Sequence, residues 1–153
     1  MAFVKLIDLP GGQTKFTLRR YDATSGAGGG GFLALTNPVV DAACPSQRNV
    51  LALAAAAAAN SSDGTATAGE PGPSTLLGPW RVVATLAQDD TGFAPQDSAR
   101  YTAFSYVDWV FDGDDILYAA RTGYRGAFSY HNTNRITFGR VVSWRSSLQN
   151  VCN

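Results

Sequence analysis

Arginine, tyrosine and histidine gather in one stretch of this 153-residue chain: Arg121, Tyr124, Arg125, Tyr130 and the single histidine, His131. Each type has a use. Aromatic faces stack on the C–H surface of a sugar ring, the planar guanidinium fork grips carboxylate or sulfate in a bidentate manner, and tyrosine or histidine supplies a proton-transfer group. Arg100, Tyr101 and Asp108 lie just upstream and extend the same chemistry. Arg121, Tyr124 and His131 are therefore the candidate catalytic groups, with Arg100, Tyr101, Asp108, Arg125 and Tyr130 as candidate substrate-binding groups. Two of these have competing assignments. A lone histidine serves as a hydrogen-bonded structural residue as readily as a catalyst, and Asp108, between Val107 and Trp109 within an apolar run, must face solvent, a partner arginine or a site.

The elements that position these residues are short and β-like. Apolar runs rich in aromatic and β-branched residues alternate with turn formers. Strands are expected at Phe3–Ile7, Lys15–Tyr21, Gly31–Thr36, Asn49–Leu53, Pro79–Ala87, Tyr101–Phe111, Asp115–Arg121 and Arg135–Trp144. The sharpest hairpin signal is Phe111-Asp112-Gly113-Asp114, where Asp-Gly suits a two-residue turn. About eight strands and no long helical pattern make an all-β chain of antiparallel hairpins.

Two segments interrupt the pattern. The glycine-rich run Ser25–Gly31 lacks the Gly-Lys-Ser/Thr ending of a phosphate loop and reads as an expanded hairpin loop. Residues 54 to about 75 begin with an alanine run long enough for one or two helical turns. They continue into low-complexity Asn-Ser-Ser-Asp-Gly and Gly-Glu-Pro-Gly-Pro segments, an insertion expected to be disordered.

Composition narrows the partners. Net charge is zero with 16% charged residues, which gives no electrostatic case for nucleic acid or an anionic membrane. Lysine is confined to Lys5 and Lys15 and the other ten cations are arginine, a bias that suits planar anion recognition and that coding bias also produces. No run approaches the ~18 apolar residues of a membrane span, the first residues do not have the pattern of a signal peptide, and the compartment stays unassigned. Cys44 and Cys152 match neither a disulfide framework nor zinc spacing and are open to one long-range bridge or to free thiols. The acidic group Asp108, Asp112, Asp114 and Asp115 lacks the spacing and glutamate of an EF-hand, so no metal and no cofactor is expected. The only glutamate is Glu70, inside the insertion.

The segment YVDWVFDGDDILYAARTGYRGAFSYHNTNRITFGRV resembles the C-terminal portion of sialidase-like, BNR-type β-propeller proteins, whose last blades carry hairpins of the form (Y/F)VDWxFDGDDIIY and RTxYxGAxxYHxxNxITFxR. LIDLPGGQTKFTLRRYD, FLALTNPVVD, QRNVLALA and GPWRVVATLAQDDTGFAPQDSARYTAF extend the similarity upstream over most of the chain. The resemblance implies four-stranded antiparallel blades and glycan chemistry, either sialidase-type glycoside hydrolysis or, in some relatives, polysaccharide lysis. Sialidases use an arginine cluster, a tyrosine–glutamate nucleophile pair and an aspartate. This chain offers arginines and Tyr124 but no matching glutamate and no Ser-x-Asp-x-Gly-x-Thr-Trp box. A lyase would want a tyrosine or histidine base beside an arginine, which the Tyr124, His131 and arginine group suits better. About eight strands make two blades where a propeller needs roughly four to eight, so the resemblance implies the C-terminal part of a larger propeller, inactive by itself. The alternative is a non-catalytic carbohydrate-binding or remnant module. The expected partners are an acidic oligosaccharide and either missing blades or further copies of the chain.

Overall fold

A computed structural model describes residues 9–11, 16–22, 30–38, 48–57 and 79–149. The expected first strand, the glycine-rich loop up to Gly29, both cysteines and all but the first four residues of the expected insertion lie outside the described residues.

Seven antiparallel strands are described, in two sheets. The first is a meander of β1 (Thr17–Tyr21), β2 (Gly31–Thr36), β3 (Val50–Ala57) and β4 (Arg81–Gln88). The second is a meander of β5 (Ala103–Asp112), β6 (Asp115–Gly123) and β7 (Arg135–Val141). Two short helices follow the sheets, α1 (Pro95–Tyr101) after the first and α2 (Trp144–Gln149) after the second. No described helix is long and apolar enough to cross a membrane.

The two sheets bury one face of each against the other. Alternation in β2 and β3 sends Leu33, Leu35, Leu51, Leu53 and Ala55 inward to meet Val107, Trp109, Ile116, Tyr118 and Ala120, with Trp144 of α2 closing the cluster. Tyr118 joins the layers. Its ring covers Gly139, where any side chain would collide with it, and its hydroxyl donates to the Leu86 carbonyl at 3.3 Å. Asn37, just past β2, is a second tie: its Nδ2 donates to the carbonyls of Val50 (2.7 Å), Phe104 (3.0 Å) and Arg48 (3.3 Å), linking the edge of one sheet to the start of the other.

The structure corrects several expected elements. The alanine run does not begin a helix or an insertion: Ala54–Ala57 continue β3, all four paired with β2, and Ala54 and Ala55 paired with β4 as well. Backbone pairing on both edges outweighs the modest helix propensity of four alanines. Their small size also lets Trp80 settle over Ala34, Ala54 and Ala56 on the outer face. The polar segment before β5 holds α1, with Pro95 in its first turn, where proline is tolerated. The hairpin turn lies one residue later than expected, at Gly113-Asp114, with Asp112 and Asp115 as the last pair. Gly113 has φ 60° and Asp114 is not among the positive-φ residues, the pattern of a II′ turn with glycine first. The last strand ends at Val141 because Ser143, at φ 49°, turns the chain into α2.

Antiparallel meanders sort their connections by parity. The β1–β2, β3–β4 and β5–β6 connections leave from one end of the sheets, the turn end. The β2–β3, β4–β5 and β6–β7 connections leave from the other, the loop end.

Candidate functional site

Parity places most of the sequence-derived candidates together. Arg100 and Tyr101 lie on the β4–β5 connection, while Tyr124, Arg125, Tyr130 and His131 lie on the β6–β7 connection, all at the loop end. The two connections are stitched to each other. The Tyr130 N–H donates to the Arg100 carbonyl at 2.9 Å, and the Arg125 guanidinium donates to the Thr91 carbonyl through Nε at 3.1 Å and through Nη2. Asn134 braces the β6–β7 loop from within, its Oδ1 accepting from the Tyr124 N–H and its Nδ2 donating to the Arg125 carbonyl, both at 3.0 Å.

Three arginines at this end lie over tyrosine rings: Arg135 over Tyr124 at 4.4 Å, Arg48 over Tyr130 at 4.3 Å and Arg100 over Tyr101 at 5.1 Å from guanidinium carbon to ring centroid. Such stacks orient the guanidinium without consuming its N–H donors. None of the three has a carboxylate partner among the described residues, whereas Arg19, Arg20 and Arg140 each do. His131 stacks beside Tyr130, ring centroids 4.1 Å apart, which extends the aromatic surface.

A cleft of about 110 Å³ opens between the strand ends, lined by Gln88, Asp89, Asp90, Thr122, Tyr124 and Arg135 among others. Its floor is fixed by the Thr122–Thr137 hydroxyl contact at 2.8 Å. Its acidic wall is built into the fold: Asp89 accepts from the Thr91 N–H (2.9 Å) and hydroxyl (3.0 Å). Partial burial opposes the ionisation of Asp89, but hydrogen bonds from Ser98 and Thr91 and the field of Arg125 outweigh it and hold the carboxyl below its usual pKa. The wall is therefore charged at neutral pH, and Arg135 and Tyr124 face it across the cleft.

The structure does not gather every candidate. Asp108 is 81% exposed along its side chain and is paired with Arg19 at 3.0 Å, at the seam where β1 meets β5. Of the settings open to it from sequence, solvent, a partner arginine or a site, it takes the partner arginine. Arg121 leaves the loop cluster for the outer face of the second sheet, where its guanidinium sits 4.9 Å from the Tyr106 ring centroid. Arg121, Tyr124 and His131 thus take three separate partners, Tyr106, Arg135 and Tyr130. Sequence reasoning missed Arg48, Arg135, Asp89 and Asp90. Each sits next to a strand end of the same parity as the Tyr124–His131 loop, a signal available once the hairpins are counted. Among the described residues no group of acidic, histidine or cysteine side chains has the arrangement of a metal site.

No protein-family model, curated protein or solved structure matches this chain.

Proposed function

We propose that the loop end binds an acidic oligosaccharide, and that the chain is the C-terminal part of a sialidase-like, glycan-active β-propeller that binds without catalysing by itself. The observation that carries this reading is the set of arginines at 48, 100 and 135, each lying over a tyrosine and none spent on a carboxylate of the described residues. A sugar carboxylate would take a guanidinium fork, and the ring's C–H face would lie on the exposed parts of Tyr124, Tyr130 and His131.

Binding is favoured over catalysis by the partners of the candidate groups. Among the described residues no carboxylate hydrogen-bonds the Tyr124 or Tyr130 hydroxyl or the His131 ring, so none of them has the adjacent base or orienting acid of an activated nucleophile. Two antiparallel meanders, of four and of three described strands with buried facing sides, support the reading of neighbouring blades. The outer face of the second sheet supports further blades or further copies: Val110, Leu117, Ile136 and Phe138 are exposed there, Phe138 to 78%.

Titration calorimetry with sialyllactose and with neutral lactose tests the proposal. Sialyllactose should bind and lactose should bind at least about tenfold more weakly, the equivalent of about 1.4 kcal/mol for the carboxylate contact. Arg135→Ala should reduce that difference. Equal affinity for the two sugars would end the reading, and release of sialic acid by the isolated chain would end its non-catalytic part.

A further inference from the structure

A second cleft, of about 250 Å³, lies on the opposite flank of the loop end, between the start of β1 and the first half of β5, and is lined by Phe16, Thr17, Tyr106 and Val107. Two features of its walls and one beside them are costly for a purely structural surface. Tyr106 has φ 50°, a conformation that bulky L-residues avoid, at the point where the β5–β6 register slips between Ser105 and Asp108. That bulge turns an aromatic ring outward on a strand that otherwise alternates, leaving Tyr106 50% exposed beside Phe16 at 47%. Thr17 carries a hydroxyl that is buried without a hydrogen-bond partner among the described residues. Beside the cleft, Arg121 rests its guanidinium 4.9 Å from the centroid of the wall residue Tyr106 and has no carboxylate partner among the described residues.

Strain, an orphaned hydroxyl and an unneutralised cation around one cavity are the marks of a surface shaped for a ligand rather than for stability. We infer that this seam cleft is a second carbohydrate subsite, one that stacks a carboxylate-bearing sugar ring on Tyr106 and Phe16, holds its carboxylate on Arg121 and satisfies the Thr17 hydroxyl. The ligand class rests on the acidic-glycan reading of the loop end, while the site itself is separate. Arg121 lies three residues from Tyr124 along the chain, about 10 Å at strand rise, so the two sites suit neighbouring units of one oligosaccharide. Arg121 becomes a ligand-binding group of this cleft and not a member of the Tyr124–His131 cluster.

Two substitutions separate binding from folding because each should relieve the native structure. Tyr106→Gly removes the ring and releases the positive-φ strain, and Thr17→Val replaces the orphaned hydroxyl with a methyl group that suits a strand. Both variants should melt at or above the temperature of the parent chain. Tyr106→Gly should weaken sialyllactose binding at least about tenfold, and Thr17→Val severalfold. Amide NMR spectra of the full chain during the same titration locate the sugar. Shifts at residues 16–17 and 106–107, alone or together with shifts at 124–135, uphold the seam cleft, and shifts at the seam alone would defeat the loop-end proposal instead. Shifts confined to 124–135, no shifts at all, or parent affinity in both variants would overturn the inference.

Discussion

Arg140 and Arg135, at opposite ends of β7, are held in opposite ways. At the turn end, Arg140 donates to Asp115 at 2.6 Å and to Asp112 at 3.4 Å, and Asp115 also accepts the Ser143 N–H at 2.7 Å. The cation is neutralised, and the pairs pin the β5–β6 hairpin to the turn before α2. At the loop end, Arg135, on the same strand as Arg140, lies over Tyr124 and has no carboxylate partner among the described residues. Arg48 and Arg100 repeat that arrangement. An arginine held by aspartates has its donors committed to the fold, while one oriented by an aromatic face keeps them for a ligand. Arginine abundance alone therefore says little, and partner identity separates the structural cations from the candidate binding ones.

The largest effect expected from breaking this arrangement comes from Asn37. Its amide holds carbonyls of Arg48, Val50 and Phe104 at the loop end, where both sheets must stay in register for the arginine–tyrosine stacks to converge. Asn37→Ala leaves buried carbonyls without a donor and should cost about 3 kcal/mol, read as a lower midpoint in urea unfolding. It should also weaken sialyllactose binding. Loss of stability with binding intact would show that the stacks do not depend on the junction of the sheets.

Arg140→Ala works on the other side of the contrast. Arg140 and Asp112 are more than half exposed and only Asp115 is largely covered, so the melting temperature should fall by no more than about 3 °C, and sialyllactose affinity should stay within twofold of the parent. A tenfold loss of affinity would mean that the ends are coupled, and the division of labour between them would fail.

How far this contrast was legible in the sequence depends on range. The β5–β6 hairpin and its Asp-Gly signal depend on neighbours in the chain, and so the strands there were readable to within a residue or two. Ala54–Ala57 were not, because their strand state depends on partners at Gly31–Ala34 and at Arg81 and Val82 that no local pattern names. The same limit applies to the site. Tyr124, Tyr130 and His131 were found by type and proximity, whereas Arg48 joins them from far earlier in the chain, through the contact with Tyr130. Asp108 and Arg121 looked like members of the same group because they are close in sequence. Strand alternation and the Tyr106 bulge send them to other surfaces.

The smallest expected effect is the most selective. Asp115 is held below the usual carboxylate pKa first by the Ser143 N–H and then by Arg140, and Asp89 is lowered as well, against its own burial, by Ser98, Thr91 and Arg125. In both cases the folded pKa lies below that of the unfolded chain, near ~3.9. Each carboxylate therefore stabilises the fold above about pH 4 and loses that contribution as the pH falls through its folded value. Asp115→Asn and Asp89→Asn should each flatten the acid side of the melting-temperature profile. Only the second should change binding. Asp89 lines the loop-end cleft, and removing its charge lessens repulsion of an anionic sugar, so Asp89→Asn should tighten sialyllactose severalfold at pH 7 while Asp115→Asn leaves it unchanged. If the two variants moved affinity alike, the loop end would have no special claim on the anion.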